Sequence, residues 1–185
     1  MPSKPEHSLQ RQQQHADHQP SGKSLALRLL AHDLRSPENV GSLFRLADAL
    51  AIEHLYLSGT TPAPPNSRLR RVARSTDRQV SHEIIDRPHA TLQQLRQQAY
   101  RIVSLELTTH SIALQHFTVS PGDRLCLIAG GEKHGVSDDL LALSDTVVHI
   151  PMLGHNSSMN VAMACAIACY QLSVQLRPRL TATDA

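Results

Sequence analysis

The stretch "IPMLGHNSSMNVAMA", residues 150–164, decides the fold. It begins like an apolar strand, passes through a polar loop at residues 154–158, and enters a run of small apolar residues headed by Asn160. We predict that this run belongs to a final helix over residues 159–176, apolar on nearly all sides and therefore buried. Loops of this kind, at the carboxyl end of a strand, are where parallel α/β sheets bind ligands.

Working outward from this loop, apolar strands alternate with helical patterns from Leu25 onward. The strands predicted from their apolar runs are residues 25–34, 54–59, 81–85, 101–107, 124–130 and 146–152. The helices predicted between them are residues 36–50, 68–75, 88–98 and 137–144. Because the strands are almost continuously apolar, we predict an α/β fold with a mostly parallel sheet and helices on both faces.

The length of 185 residues fits one domain. We assign that domain to residues 25–178, since residues 1–24 are rich in Gln, His, Pro and Ser and predict a disordered tail. Residues 179–185 are expected to form a flexible C-terminus.

Composition excludes several classes of protein. Hydrophobic residues make up 41% of the chain and charged residues 18%, and no apolar run approaches the length of a membrane span. The three cysteines contain no CxxC pair, which argues against a disulfide framework or a thiolate zinc site. Cys165 and Cys169, four residues apart, are expected to be small buried residues. We therefore expect a cytoplasmic protein without membrane contact or a bound metal.

A second polar loop, "AGGEKHGVS" at residues 129–137, also follows an apolar strand. Gly130 and Gly131 would let a ligand approach the backbone. The loop has neither the GxxxxGK[ST] nor the GxGxxG pattern of nucleotide-binding loops. Taken alone it favours an ordinary strand-to-helix turn, but Glu132 weakens that interpretation because a carboxylate at a strand end commonly has a partner.

The helix over residues 36–50 carries a polar face opposite its apolar stripe. Ser36 is the predicted N-cap, and Glu38, Gly41 and Arg45 share the polar face. A solvated arginine on an amphipathic helix is the simplest interpretation. Gly41 argues against it, since a glycine inside a helix costs about 1 kcal/mol relative to alanine. We infer that another group approaches the helix closely beside Arg45.

A cluster of arginines follows a proline-rich loop, and within residues 68–78 it is opposed only by Asp77. Phosphate binding is the preferred interpretation, ahead of an ordinary charged surface. Aromatic residues make up only 3% of the chain, so base stacking on aromatic rings is not a main mode of recognition. The predicted nucleic-acid contacts are Arg68, Arg70, Arg71, Arg74 and Arg78.

Together, three segments resemble the three motifs of the SpoU/TrmH class of SPOUT RNA 2'-O-ribose methyltransferases, in the same order. They are "PENVGSLFRLADAL", "LIAGGEKHGVS" and "HIPMLGHNSSMNVAMACAIACYQL", and the likeness spans about residues 27–176. Met159 stands where the third motif more often has leucine. The resemblance implies a C-terminal deep trefoil knot, a homodimer, S-adenosylmethionine as cofactor, and tRNA or rRNA rather than DNA as substrate. A catalytically silent, dimeric RNA-binding protein of the same fold is the alternative.

The resemblance also implies site residues, position by position. Those implied for catalysis are Asn39, Arg45, Glu132, Ser158 and Asn160. Those implied for the cofactor pocket are Leu105, Gly130, Ile150, Met152, Ser158 and Met159. A neutral arginine at pH 7 would cost roughly 7 to 9 kcal/mol, so we expect Arg45 to act as a cationic activator of the ribose hydroxyl. The proton acceptor stays open, and Glu132 is expected to orient either Arg45 or Asn39.

Overall fold

Seven parallel strands form one sheet in the computed structural model, which describes residues 22–177. The strands are β1 (Leu25–His32), β2 (Ile52–Ser58), β3 (His82–Ile85), β4 (Tyr100–Leu105), β5 (Ile112–Ala113), β6 (Arg124–Ala129) and β7 (Thr146–His149). Their order across the sheet is β3-β2-β1-β6-β4-β7-β5, and every neighbouring pair runs parallel. The prediction of a mostly parallel sheet is confirmed.

Residues 22–177 contain five α-helices and two short 3-10 helices, and all but the last α-helix lie between strands. The α-helices are α1 (Pro37–Leu50), α2 (Ser67–Ala73), α3 (Pro88–Gln97), α4 (Asp138–Ala142) and α5 (Val161–Leu176), and the 3-10 helices are Thr76–Arg78 and Leu114–His116. Ser36 caps α1, since its hydroxyl accepts the Asn39 N–H at 3.2 Å. Asn160 caps α5, with its side-chain oxygen accepting two backbone N–H groups. The last helix therefore starts two residues later than predicted, because Asn160 keeps a non-helical backbone as its cap.

The helices cover both faces of the sheet, as predicted. On one face, α1, α2 and α5 contribute Phe44, Leu69 and Cys169 to a large buried core. On the other face, Leu92 and Leu95 of α3 and Leu140 of α4 form a smaller one. With both faces covered, the central strands are apolar on both sides, which explains their continuous apolar sequence.

The largest differences from the predicted strands lie at one edge of the sheet, whereas the ends of the other strands shift by only one or two residues. β7 ends at His149 rather than Met152, because its outer partner β5 is only two residues long and pairs no further than His149. β5 itself was not predicted, since Ile112 and Ala113 are too few to show an alternating pattern. The chain therefore leaves the sheet early, and residues 150–160 form a loop at its carboxyl edge.

Gly41 does allow close approach, but to the protein's own backbone. A Cβ built at Gly41 would lie 2.6 Å from the Leu69 carbonyl oxygen and 2.9 Å from the Val72 Cβ. The missing side chain therefore lets α2 pack directly against α1, and Gly41 is buried. The inference of a close approach is right, and the approaching group is α2. The placement of Gly41 on the polar face of Arg45 is wrong, because Gly41 is buried whereas Arg45 is exposed.

The predicted tail falls almost wholly outside the described residues. Residues 22–24 precede β1 and belong to no helix or strand, and the predicted C-terminus of residues 179–185 also lies outside the described range. Within residues 22–177, no helix is both long enough and apolar enough to cross a membrane. The three cysteines are free and buried, as expected for Cys165 and Cys169, and burial raises the pKa of the Cys165 thiol to about 12.

Candidate active site

Three loops meet at the carboxyl edge of the sheet, after β1, β6 and β7. Asn39 at the start of α1, Glu132 in the loop after β6 and Asn160 at the end of the loop after β7 form a continuous chain of hydrogen bonds. The amide nitrogen of Asn39 donates to the Glu132 carboxylate at 2.7 Å, and the amide oxygen of Asn39 accepts from Asn160 at 2.9 Å. Asn39 therefore joins the loop after β6 to the start of α5.

Both ends of this chain are fixed by helix N-termini. The Glu132 carboxylate accepts the N–H groups of Arg35 at 2.9 Å and Ser36 at 3.4 Å, immediately before α1. At the other end, the Asn160 side-chain oxygen accepts the N–H groups of Ala162 at 3.0 Å and Met163 at 3.2 Å. Both amides are thus held in one orientation, because each uses its oxygen as acceptor and its nitrogen as donor.

The Glu132 carboxylate is stabilised in its charged form. Partial burial raises the pKa of Glu132, but hydrogen bonds from the Arg35 backbone, the Asn39 side chain and the Ser36 backbone outweigh it and lower the pKa. A carboxylate next to a helix N-terminus is also favoured by the helix dipole. Glu132 is therefore an ionised acceptor at neutral pH, and the side chain that it orients is Asn39 rather than Arg45.

A cavity of about 700 Å³ lies beside this chain of hydrogen bonds. It falls within the range of about 300–1,000 Å³ that is usual for small-molecule sites. Its wall contains every residue predicted for the cofactor: Leu105, Gly130, Ile150, Met152, Ser158 and Met159. Glu132 and Asn160 also line it. A second cavity of about 440 Å³ adjoins the first and shares five wall residues with it: Leu107, His149, Ile150, Met152 and Ser157.

The glycines of the second loop make this wall possible. A Cβ built at Gly130 would lie 2.0 Å from the carbonyl carbon of Gly135, and one at Gly131 would lie 2.2 Å from the Asp33 carbonyl oxygen. Gly135 has φ of +65°, a conformation that favours glycine. The wall here is therefore main chain packed tightly against main chain, and it depends on the absence of side chains at these glycines.

Two predicted catalytic residues stand apart from the hydrogen-bonded chain. Arg45 is exposed on α1, does not line the cavity, and makes no hydrogen bond or ion pair with any residue of the range 22–177. Ser158 lines the cavity but is exposed, and it too has no hydrogen bond within the described range. The structure thus brings together Asn39, Glu132 and Asn160, and leaves Arg45 outside.

Sequence reasoning missed four polar residues of the cavity wall: Glu106, Lys133, His134 and His149. Glu106 follows β4 directly, and its carboxylate accepts the Val136 N–H at 2.9 Å. An acidic residue at the end of a buried strand was the available signal, the same one that pointed to Glu132. Lys133 and His134 are exposed and add basic groups at the rim of the cavity.

The predicted arginine cluster lies on α2 and the 3-10 helix after it. All five arginines are exposed, and Arg70 forms an ion pair with the buried carboxylate of Asp77 at 3.3 Å. The pKa of Glu38 is lowered, first by a backbone hydrogen bond and also by the charges of Arg68 and Arg71. Because α2 packs on α1, the cluster lies beside the helix that carries Asn39.

The sequence motifs and this geometry agree with a known family. A model of the SpoU rRNA Methylase family matches residues 26–170, which include all three loops. The chain belongs to the SpoU rRNA methylase family.

Curated relatives of this SpoU-family chain include RNA methyltransferases. A tRNA (guanosine(18)-2'-O)-methyltransferase of Escherichia coli strain K12 is 26% identical over 153 residues, covering 80% of this chain and 63% of the relative. A 23S rRNA (guanosine-2'-O-)-methyltransferase of Blochmanniella floridana is 26% identical over 147 residues, covering 80% of this chain and 57% of the relative. The chain thus spans less than two thirds of the length of these relatives.

Solved structures show the same fold. The SpoU methyltransferase AviRb from Streptomyces viridochromogenes, in complex with AdoMet, superposes with a TM-score of 0.75 at 23% identity, covering 83% of this chain and 61% of that one. The TrmH/SpoU tRNA modifying enzyme of A. aeolicus gives 0.74 at 23% identity, covering 88% and 84%. At 23% identity, the likeness to these two structures shows a shared fold and no more.

Proposed function

We propose that this chain transfers the methyl group of S-adenosylmethionine to a ribose 2'-hydroxyl of tRNA or rRNA. The observation that carries the proposal is the chain of hydrogen bonds from Glu132 through Asn39 to Asn160, which joins all three family motifs. Both of its ends, Glu132 and Asn160, line the cavity. The names of the E. coli and Blochmanniella relatives, both RNA 2'-O-methyltransferases, support it.

The cavity suits S-adenosylmethionine in size and chemistry. Gly130 and Gly131 place the main chain itself in the cavity wall, since the space where their side chains would lie is filled by Gly135 and Asp33. Apolar side chains of Leu105, Ile150 and Met152 stand beside them in the same wall. Such a mixture can cover an apolar ring while satisfying the polar edge of a buried ligand.

When bound, the cofactor would supply a methyl group attached to a positively charged sulfur. The sulfur would be the leaving group and would become a neutral thioether. The chain must then orient the ribose and stabilise the oxygen as it loses its proton. Asn39 and Asn160, fixed by their partners, are the groups proposed to orient the ribose, with Ser158 on the cavity wall. Arg45 is proposed to stabilise the developing negative charge as a cation.

We further propose that the chain works as a homodimer through α5. Each exposed residue of α5 is hydrophobic, namely Met163, Ile167, Tyr170 and Val174, with exposed fractions of 44–63%. Their spacing places them on a single stripe of the helix. Apolar stripes of this kind mark contact surfaces, and a second copy buries the same stripe on both subunits.

The dimer accounts for two features of a single chain. Helix α5 was predicted to be buried all round, whereas one face of it is open in the isolated subunit. Arg45 lies outside its own cavity, on the helix that packs beside α5. In a dimer each active site would take contacts from both subunits, which is compatible with catalysis by Arg45.

The deep trefoil knot stays a proposal as well. β6 lies between β1 and β4 in the sheet, although it follows both in the chain. After β7, residues 150–160 bring α5 back against α1, β1 and β4. This return across earlier strands supports a knotted C-terminal part. We also propose that the domain comprises residues 25–178, with a tail on each side. The family match to residues 26–170 lies within these boundaries and supports them.

The arginine cluster is proposed as the surface for RNA phosphates. Arg68, Arg71, Arg74 and Arg78 are exposed and enter no ion pair among residues 22–177, whereas Arg70 is already paired with Asp77. We therefore assign phosphate contact to the four arginines without a carboxylate partner, and a smaller share to Arg70.

The decisive experiment incubates the purified chain with total tRNA or rRNA and isotope-labelled S-adenosylmethionine, and identifies methylated nucleosides by mass spectrometry. Label in a 2'-O-methylnucleoside is expected from wild type, and much less from Asn39→Ala, which breaks the hydrogen-bonded chain at its centre. Label on a base instead of the ribose would contradict the proposed reaction. RNA binding without any label would favour the silent RNA-binding alternative.

A further inference from the structure

Glu106 connects the end of β4 to the turn that forms the glycine wall of the cavity. One oxygen of its carboxylate accepts the Val136 N–H at 2.9 Å, and the other accepts the Leu107 N–H at 2.9 Å. Its own backbone N–H donates to the Val148 carbonyl of β7 at 2.9 Å. A single residue thus joins two strand ends and the 130–136 turn.

The turn is shaped around this carboxylate. A Cβ at Gly135 would lie 2.1 Å from a carboxylate oxygen of Glu106, so any side chain there would displace it. Within the turn, the Gly135 N–H donates to the Gly131 carbonyl at 2.8 Å, and Gly130 packs against Gly135. The position of the turn relative to β4 therefore depends on the contact between Glu106 and Val136.

The charge of Glu106 has no side-chain partner among residues 22–177, since its oxygens accept only the two backbone N–H groups. Glu106 also lines the cavity, next to Leu105 and opposite the glycines. Hydrogen bonds to a charged acceptor are stronger than neutral ones. An ionised carboxylate is thus suited to hold a glycine-rich turn that has no side chains of its own to anchor it.

We propose that Glu106 is a positioning residue, which holds the 130–136 turn in the shape that the cofactor requires. This inference rests on the proposed function, because it assigns S-adenosylmethionine to the cavity. It makes the carboxylate a support for Gly130 and Gly131 rather than a direct partner of the ligand. In Glu106→Gln, the amide oxygen can still accept one of the two N–H groups, so this variant should hold the turn in part.

The experiment measures the dissociation constants of S-adenosylmethionine and S-adenosylhomocysteine by calorimetry for wild type, Glu106→Ala and Glu106→Gln. Hydrogen exchange of the Val136 amide is followed in the same proteins. Glu106→Ala should raise both dissociation constants about 10-fold or more, because it removes two charge-assisted hydrogen bonds. Glu106→Gln should recover part of the loss, and the Val136 amide should exchange faster in both variants.

The matched control is Asp145→Asn. Asp145 also accepts a backbone N–H, from Ile102 at 2.7 Å, and forms an ion pair with Arg96. It does not line the cavity. Its replacement should lower the melting temperature and leave both dissociation constants unchanged, which separates positioning of the cavity from general stability.

Unchanged dissociation constants in folded Glu106 variants would overturn the inference. So would a loss of affinity for S-adenosylmethionine alone with normal exchange at Val136, since Glu106 would then act directly on the positive charge of the ligand. If Glu106→Ala fails to fold, Glu106→Gln carries the comparison. A wild-type protein that binds neither ligand would instead refute the proposed function, which is a distinguishable result.

Discussion

Arg45 and Asn39 stand on the same helix, but their surroundings differ. Asn39 has a partner on each side and is fixed before any ligand arrives. Arg45 is exposed and unpaired within residues 22–177, so no part of the chain's own fold depends on it. This difference separates the residue that organises the site from the one proposed to act on the reacting oxygen.

We predict that Arg45→Ala folds, forms the same oligomer and binds S-adenosylmethionine normally. Its single-turnover methylation rate should fall about 100- to 1,000-fold, because removal of one donor to a developing oxyanion has effects of that size. Arg45→Lys keeps the charge without the planar fork and should recover only part of the rate. Rapid-quench assays with the identified RNA measure both variants.

The pH dependence of the same assay tests the role of Arg45. If Arg45 were the base, a lysine in its place would deprotonate more readily, since lysine has an ordinary pKa of about 10.4. The pH–rate profile of Arg45→Lys would then show a new alkaline limb. As a cationic activator, Arg45→Lys lowers the rate without such a limb. Arg87→Ala, immediately before α3, removes one exposed positive charge and serves as the control. Full activity of Arg45→Ala would exclude Arg45 from the mechanism.

At the scale of elements, the sequence predicts the sheet better than its edges. Long apolar runs identify the central strands because both faces of a parallel sheet are covered. β5 was missed because two residues carry no periodicity, and β7 was extended too far because pairing with β5 stops at His149. Strand ends depend on partners that are distant in sequence, and a local pattern cannot contain that information.

In the candidate site, too, the sequence predicts which residues take part better than it predicts their contacts. The family motifs located the cavity residues, and Gly41 correctly signalled a close approach. The sequence could not say that α2 would fill that space, nor that Glu132 would bond to Asn39 rather than to Arg45. Such contacts are set by how helices pack, which depends on the whole arrangement of the core.

The exposed apolar stripe of helix α5 can be tested as a dimer interface. Ile167→Glu places a charge in the centre of the exposed apolar stripe, and in a twofold dimer two such charges would face the interface. We expect the variant to sediment as a monomer at concentrations where wild type is a dimer. Gln93→Glu on α3 adds the same charge at another exposed helix position and should leave the dimer intact. A wild-type monomer with full activity would refute the dimer.

At the scale of the whole molecule, the proposed binding site is separate from a group of polar contacts within the sheet. The carboxyl edge holds the loops, glycines and cavity. Arg28, in the middle of β1, donates to Glu53 at 3.0 Å and to Tyr56 at 2.8 Å, both on β2. Arg124, at the start of β6, donates to Tyr100 at the start of β4 at 2.8 Å. These polar contacts cross-link four strands away from the site, so their loss should affect stability before function.

His54 lies beside this group of contacts and makes stability depend on pH. Its Nδ1 lies 2.8 Å from the Ser81 hydroxyl, and its Nε2 is buried without a partner within residues 22–177. Burial, followed by the charge of Arg28, lowers the pKa of His54, although Glu83 and Glu53 oppose this. In the native protein His54 is therefore neutral at a pH where the unfolded chain has begun to bind a proton.

The sign of the effect follows from proton binding. Below about pH 6.5, the ordinary pKa of histidine, the unfolded state binds more protons at position 54 than the native state. The free energy of unfolding should therefore be constant with respect to His54 above this pH and fall as the pH drops toward the lowered native pKa. A further decline should begin below about pH 4.5, because the pKa values of Asp33, Glu53 and Glu132 are lowered in the native state and their stabilisation is lost on protonation.

Urea unfolding between pH 8 and about pH 3, a range that includes the ordinary pKa values of histidine, glutamate and aspartate, measures this dependence. His54→Gln cannot titrate, so it should abolish the decline between about pH 6.5 and pH 5 and leave the decline at lower pH in place. His110→Gln, at an exposed position without hydrogen bonds to the described residues, should retain both declines. Because His54 lies near the amino end of β2, S-adenosylmethionine affinity of folded His54→Gln at pH 8 should equal that of wild type. A His54→Gln curve that still falls between pH 6.5 and pH 5 would assign the acid sensitivity to another histidine.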